Sequence, residues 1–324
     1  EKSGRPLSFS LAQSHQAPDS YRMILDWLGQ AVDAGLPMKA QVSARAVGVL
    51  FGLDLTANPF SGHEAYREIA ALPVAAQLAR LRDPAFRARL LAETPDPRGP
   101  FASANLTAWA GMYPLGPESP DYEPTPDRTV AAIAAAQGRE PQEVALDHLL
   151  SNDGRGILYL PFLSYGYGSL DASHEMMLHR DTVPGLSDGG AHVGMICDGS
   201  FPTSLLTHWT RDRTRGPKLS LPFVVKQQAA DTAALVGLGD RGMILPGLRA
   251  DLNVIDYDNL TLLAPEVIHD LPAGGRRLMQ RARGYVATIV AGQITYRDGE
   301  PTGALPGRLV RGARGTPAAR RFAA

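Results

Sequence analysis

The run Gly185-Leu186-Ser187-Asp188-Gly189-Gly190-Ala191-His192 holds the residue types best suited to chemistry in this chain. Val183 and Leu186 read as the end of a short buried strand, and Asp188 follows at once. A lone carboxylate at the tip of an apolar strand is costly to bury unless a partner or a ligand meets it. Two glycines then let the backbone turn sharply. The pattern suits a general base, or a carboxylate shared with a metal ion, at Asp188. Gly189 serves the turn and leaves room for a ligand, and His192 follows four positions after Asp188 as a candidate for substrate contact. The plainer alternatives are a turn or capping Asp and a His that bonds a backbone carbonyl. Gln41 and Arg45 stand at and just beyond the end of another apolar strand, residues 38–42. If the two strands are parallel, both residues share an end with Asp188 and are candidates for substrate contact. The plainer alternative is an ion pair or amide bond that fixes the segment following them.

Other candidates are weaker. His174-Glu175-Met176-Met177-Leu178-His179 resembles a zinc-protease helix, but its two His are five apart, about 140° around a helix, so one metal cannot take both from one face. They read as part of a surface helix. His63-Glu64 reads as a helix start, and His208-Trp209 as packing. The chain has no phosphate-binding glycine loop, dinucleotide fingerprint, Cys-x-x-Cys or Gly-x-Ser-x-Gly elbow, so nucleotide-driven, redox and serine-hydrolase readings lack support.

These residues need elements to position them. The strand at 7–11, a helix from Asp19 or Ser20 to about Ala34 and the strand at 38–42 give strand, helix, strand, the unit of a parallel α/β fold. A long segment from about 45 to 165 reads as a helical insertion that covers one end of the fold. Its helical pieces are 64–71, 73–82, 84–92, 127–137 and 141–150. Asp83-Pro84 and Glu140-Pro141 are good helix starts, and the Pro-rich stretch 113–126 reads as irregular. A strand at 183–188 and helices at 201–211 and 221–238 follow. Beyond Gly239 the runs at 251–257 and 285–296 alternate and are rich in Val, Ile, Thr and Tyr, which reads as β-structure. Asp298-Gly299 is a hairpin turn. The expected division is a body over 1–240 and a β-sandwich segment with a tail over 241–324.

Composition bounds the rest. The chain has 324 residues, 44% of them hydrophobic, and a net charge of −1. That is enough for a large soluble core and gives no basis for a nucleic-acid partner. No apolar stretch reaches the roughly 18 residues that crossing a bilayer requires. The single cysteine, Cys197, excludes an internal disulfide framework and suits a reducing, cytoplasmic compartment. The chain does not begin with Met and enters a strand almost immediately, so it is expected to be the C-terminal part of a longer protein.

The run 187–192, with Ser200-Phe201-Pro202, Leu206-Thr207-His208-Trp209-Thr210-Arg211-Asp212 and Gly239-Asp240-Arg241-Gly242-Met243-Ile244-Leu245-Pro246-Gly247-Leu248-Arg249-Ala250-Asp251-Leu252, occurs in an order that resembles the C-terminal half of the amidohydrolase superfamily, in its D-aminoacylase branch. Val290-Ala291-Gly292-Gln293-Ile294 resembles that family's last hairpin strand. The resemblance implies part of a (β/α)8 TIM-like barrel with a small β-sandwich. It implies hydrolysis of a non-peptide C–N amide bond, most plausibly of an N-acyl amino acid. A zinc ion would lower the pKa of bound water, and Asp188, matching the eighth-strand Asp, would take its proton and pass it to the leaving amine.

Two features depart from that family. There is no His-x-His, so the other metal ligands are expected in the absent N-terminal half, and the chain alone is expected to be inactive. Met195-Ile196-Cys197-Asp198 stands where the family has an Arg for the substrate carboxylate. Alternatives are a non-catalytic binding protein on the same scaffold and a cyclic-amide hydrolase. The expected partners are a small-molecule amide and the missing half, with a homo-oligomer left open and neither nucleic acid nor membrane.

Overall fold

The computed structural model describes residues 5–96, 106–187 and 189–312. Strand β1 (Leu7–Leu11), helix α1 (Ser20–Asp33) and strand β2 (Met38–Ser43) follow in the expected order. α1 buries Tyr21, Leu25 and Leu28, the spacing of one helical face. Each of these Leu contributes about 1.5–3 kcal/mol when fully buried. Gly35 follows with a φ of +86°, the left-handed conformation that ends a helix and favours glycine.

The segment between β2 and the next parallel strand is not only helical. β3 (Val47–Phe51) leads to helices α2 (Glu64–Ile69), α3 (Val74–Arg82) and α4 (Pro84–Ala92), then β4 (Tyr113–Leu115), α5 (Val130–Gln137), α6 (Pro141–Gly154) and β5 (Ile157–Leu163). β3 and β4 flank β5 in an antiparallel sheet. This corrects the reading of a purely helical insertion. β5 is apolar and buried at every position from Ile157 to Pro161, so it lacks the alternation that marks a half-buried strand. The helix starts hold: Asp83 accepts from the Phe86 N–H at 2.9 Å, and the Glu143 carboxylate accepts from the Glu140 N–H at 3.4 Å. Phe51, Phe60, Leu81, Leu90, Leu146 and Leu149 form a core of their own in this segment.

Helix α7 (Asp171–Leu178) and strand β6 (Thr182–Gly185) return the chain to the first sheet. α7 is more than a surface helix, because Ala172, Ser173, Met176 and Met177 are buried. β6 pairs in parallel with β2, setting Gly185 beside Ser43, and β1 pairs in parallel on the other side of β2. The sheet order is therefore β1-β2-β6, and all three strands deliver their C-terminal ends to one edge. Tyr21, Leu25, Met176, Phe201 and Trp209 belong to the core beside this sheet.

After β6 come α8 (Phe201–Thr207), a π-helical turn at His208–Asp212, α9 (Leu221–Lys226), a second π-turn at Gln227–Asp231 and α10 (Thr232–Leu235). The C-terminal part holds β7 (Leu252–Ile255), β8 (Thr261–Leu271), β9 (Gly275–Arg283), β10 (Tyr285–Val290), β11 (Gln293–Arg297) and β12 (Glu300–Pro301). β12, β11, β10 and β7 form one antiparallel sheet, with Asp298 and Gly299 in its last turn. β8 and β9 form a separate long hairpin. The described residues are thus a mixed α/β structure. Among them no helix is long and apolar enough to cross a membrane.

Candidate active site

Asp188 lies outside the described residues. Its neighbours place the loop that follows β6. Ser187 Oγ donates to the Asp198 carbonyl at 2.8 Å, which closes the loop at its base. Gly189 is exposed, and a Cβ there would meet nothing within 4 Å. His192 is also exposed and adopts a φ of +53°. Its carbonyl accepts from the N–H groups of Met195 and Ile196 at 2.7 and 2.9 Å. Neighbouring elements grip the stretch that follows. The Val193 carbonyl accepts from Leu278 in β9 at 2.8 Å, Gly194 from Thr56 at 3.1 Å, and Met195 from Leu50 in β3 at 2.8 Å. Arg276 of β9 also ion-pairs Asp54 at 2.8 Å, which joins the hairpin to the same segment.

Arg45 is 3% exposed, just past the end of β2. Its Nη2 donates to the Cys197 carbonyl at 2.9 Å and pairs with Asp198 Oδ1 at 3.4 Å. The guanidinium lies 3.6 Å from the centroid of the Tyr122 ring and 4.9 Å from that of Phe201. Arg45 therefore ties the β6 loop to the Tyr122 stretch, as the plainer reading expects, while still lining a cavity. Gln41 donates from Nε2 to Ser8 Oγ at 2.9 Å, bridging β2 to β1. The two residues do different things: Gln41 joins strands, and Arg45 reaches beyond them.

The cavity beside Arg45 has a volume of about 330 Å³, and its lining includes Ala44, Arg45, Tyr122, Ser204, His208 and Leu262. Behind its wall sits a charged cluster that sequence reasoning missed. Glu123, 3% exposed, accepts from Arg213 Nε and Nη2 at 3.0 and 2.9 Å, from His208 Nε2 at 2.8 Å and from the Leu170 N–H at 2.8 Å. Burial pushes the Glu123 pKa up, but these hydrogen bonds and the Arg213 charge outweigh it and bring it down to about 2. Arg213 also holds Asp171 at 2.7 Å and lies 4.6 Å over Trp209. Trp209, fully buried, donates its indole N–H to the Ala44 carbonyl and so locks the His208 turn to the end of β2. Glu123 went unnoticed because it lies in the Pro-rich stretch that reads as irregular. The acidic residue after Tyr122 and the Arg-rich run after Trp209 were its only signals, some ninety positions apart.

A metal is implied by the resemblance, and the described residues alone do not supply a full ligand set for one. Among them no three His, Cys, Asp or Glu side chains stand together as a ligand group. Cys197 is buried, and burial pushes its thiol up to about 11, so it is held as a neutral thiol. His174 stacks on Trp209 at 5.9 Å, whereas His179 Nδ1 accepts from the Asp181 N–H at 3.2 Å.

A family model described as the amidohydrolase family matches residues 1–296. This chain belongs to the amidohydrolase family. Members of this family are often metal-dependent. Among solved structures the chain is similar to a D-aminoacylase whose crystal structure defines a subset of amidohydrolases. Identity is 17% and the TM-score 0.46, over 92% of this chain and 48% of that one. A D-aminoacylase variant in complex with CuCl2 gives 17% and 0.45 over the same shares, 92% and 48%. A D-aminoacylase structure concerned with the role of its binuclear metal center gives 18% and 0.45, again over 92% and 48%. The chain spans about half the length of these solved structures.

Proposed function

We propose that this chain is the C-terminal part of an amidohydrolase that cleaves a non-peptide C–N amide bond, with an N-acyl amino acid as substrate in the manner of a D-aminoacylase. In this reading β1, β2 and β6 are consecutive members of a (β/α)8 barrel wall, and residues beyond about 240 belong to a β-sandwich. Asp188 takes the proton of the attacking water and returns it to the leaving amine. His192 and Gly189 flank the substrate. Zinc is the metal, with Asp188 as this chain's contribution and the remaining ligands on the other half of the protein.

The observation that carries the reading is the family match across 1–296, which includes the Ser187–His192 run at the end of a strand parallel to its neighbour. The test is the full-length gene product, assayed for bound zinc by elemental analysis and screened against N-acyl-D- and N-acyl-L-amino acids. Zinc bound in stoichiometric amount and release of free amino acid from one series is the expected result. Zinc-loaded protein that releases no amino acid from either series contradicts it.

A further inference from the structure

Strand β9 carries Arg276, Leu278 and Gln280 on one face, the period-two spacing of a strand. Each of the three reaches the loop after β6 or a segment beside it. Arg276 ion-pairs Asp54 at 2.8 Å and donates to the Leu55 carbonyl at 3.1 Å. The Leu278 N–H donates to the Val193 carbonyl at 2.8 Å. Gln280 Oε1 accepts from Ser200 Oγ at 2.6 Å, and its Nε2 donates to Tyr122 OH at 3.0 Å and to the Leu263 carbonyl at 2.8 Å. The Tyr122 ring in turn faces the Arg45 guanidinium, which holds the Cys197 carbonyl. β9 therefore grips the chain at Val193 and at Ser200, on either side of the Cys197 and Asp198 carbonyls that tie down Arg45 and Ser187.

The hairpin itself has little else to hold it. Among the described residues β8 and β9 pair only with each other, and in these two strands only Pro265 and Leu278 are buried. A two-stranded hairpin is marginal in water without packing support, so its shape depends on the contacts that β9 makes. Its base is pinned more firmly. Gly284 has a φ of +101°, and a Cβ there would lie 2.7 Å from the Cα of Leu260, which is fully buried. An element fixed at its base and held along its length by a few polar contacts opens as one unit.

We propose that the β8–β9 hairpin is a strap: docked, it fixes residues 189–200, the stretch that follows Asp188, and undocked it frees them. Gln280 is the contact that couples the two, because it reaches both Ser200 and the Tyr122–Arg45 pair. The consequence for catalysis rests on the amidohydrolase reading, in which this stretch borders the proton-transfer group. The coupling itself does not.

Hydrogen exchange read by mass spectrometry on the full-length protein tests the coupling. Gln280→Met keeps the side chain's length and removes its hydrogen bonds. Exchange in the peptides 189–198 and 275–283 should accelerate together by about tenfold, the equivalent of one hydrogen bond, while the β5 peptide 157–163 is unchanged. Acceleration confined to the hairpin peptide, or none in either, overturns the proposal. If the variant is destabilised throughout, the unaltered protein decides. At low denaturant its loop and hairpin peptides should open with the same denaturant dependence, and different slopes overturn the strap. Hydrolysis plays no part in the readout. Absence of turnover sinks the proposed reaction and leaves the strap standing, whereas uncoupled exchange sinks the strap alone.

Discussion

Arg45 and Asp198 form an ion pair at 3.4 Å in which both side chains are nearly inaccessible to water. One residue leaves β2 and the other ends the loop that follows β6, so the pair joins the C-terminal ends of two parallel strands. Removing one partner of a buried pair typically costs about 3–5 kcal/mol, because the remaining charge stays in a poorly solvating place. Arg45→Met should therefore destabilise the protein by that order in denaturant unfolding. The Arg45→Met/Asp198→Asn double variant should recover part of the loss. A single variant as stable as the parent would show that the pair contributes nothing to holding the loop.

Glu123 gives a pH dependence. Its folded pKa is depressed from 4.5 to about 2, so the unfolded chain takes up the proton first as pH falls. The stability it contributes is fully present above about pH 4.5 and is lost as pH drops toward about 2. Glu123→Gln should flatten the stability profile in that window. It should also cost about 3–5 kcal/mol at neutral pH by leaving Arg213 buried without its main counter-charge. Thermal melts of both proteins between pH 2 and pH 7 are the measurement (roughly the range over which such carboxylates titrate). Parallel profiles would contradict the assignment.

Gly185 is the last residue of β6, and a Cβ there would lie 2.8 Å from both Cβ and Oε1 of Gln41. The Gln41 amide can swing away, but its Cβ is fixed to β2. Gly185→Ala should cost about 1–3 kcal/mol by overpacking and should break the Gln41–Ser8 hydrogen bond that bridges β2 to β1. Hydrogen exchange of the β1 amides reports the second effect. Unchanged stability together with unchanged β1 protection would show that the strands tolerate the extra methyl group.

Parts of this architecture were legible in the sequence for identifiable reasons. α1 announced itself by the spacing of Leu25 and Leu28 and by Gly35, and α4 by Asp83-Pro84. β5 was hidden because burial on both faces erases the period-two pattern, and its Pro161 argues against a strand. The β8–β9 hairpin was hidden because Leu262 to Pro265 and Ile268 to Leu271 break the register, which scrambles alternation. At the candidate site, the parallel pairing of β2 with β6, which the sequence expectation required, is present, whereas Asp188 itself lies outside the described residues. The partnership of Glu123 with Arg213 and His208 could not be read, because nothing local links residues that meet only through the packing of the Pro-rich stretch against the π-turn.

The most direct test of the central claim is the rate at which full-length protein and its Asp188→Asn variant release amino acid from the preferred N-acyl substrate, measured with matched metal content. Loss of a positioned general base typically lowers the rate by about 100- to 10,000-fold, and a drop of that size with unchanged thermal stability is the predicted result. Turnover by the variant within a few fold of the parent would remove Asp188 from the reaction and contradict the account.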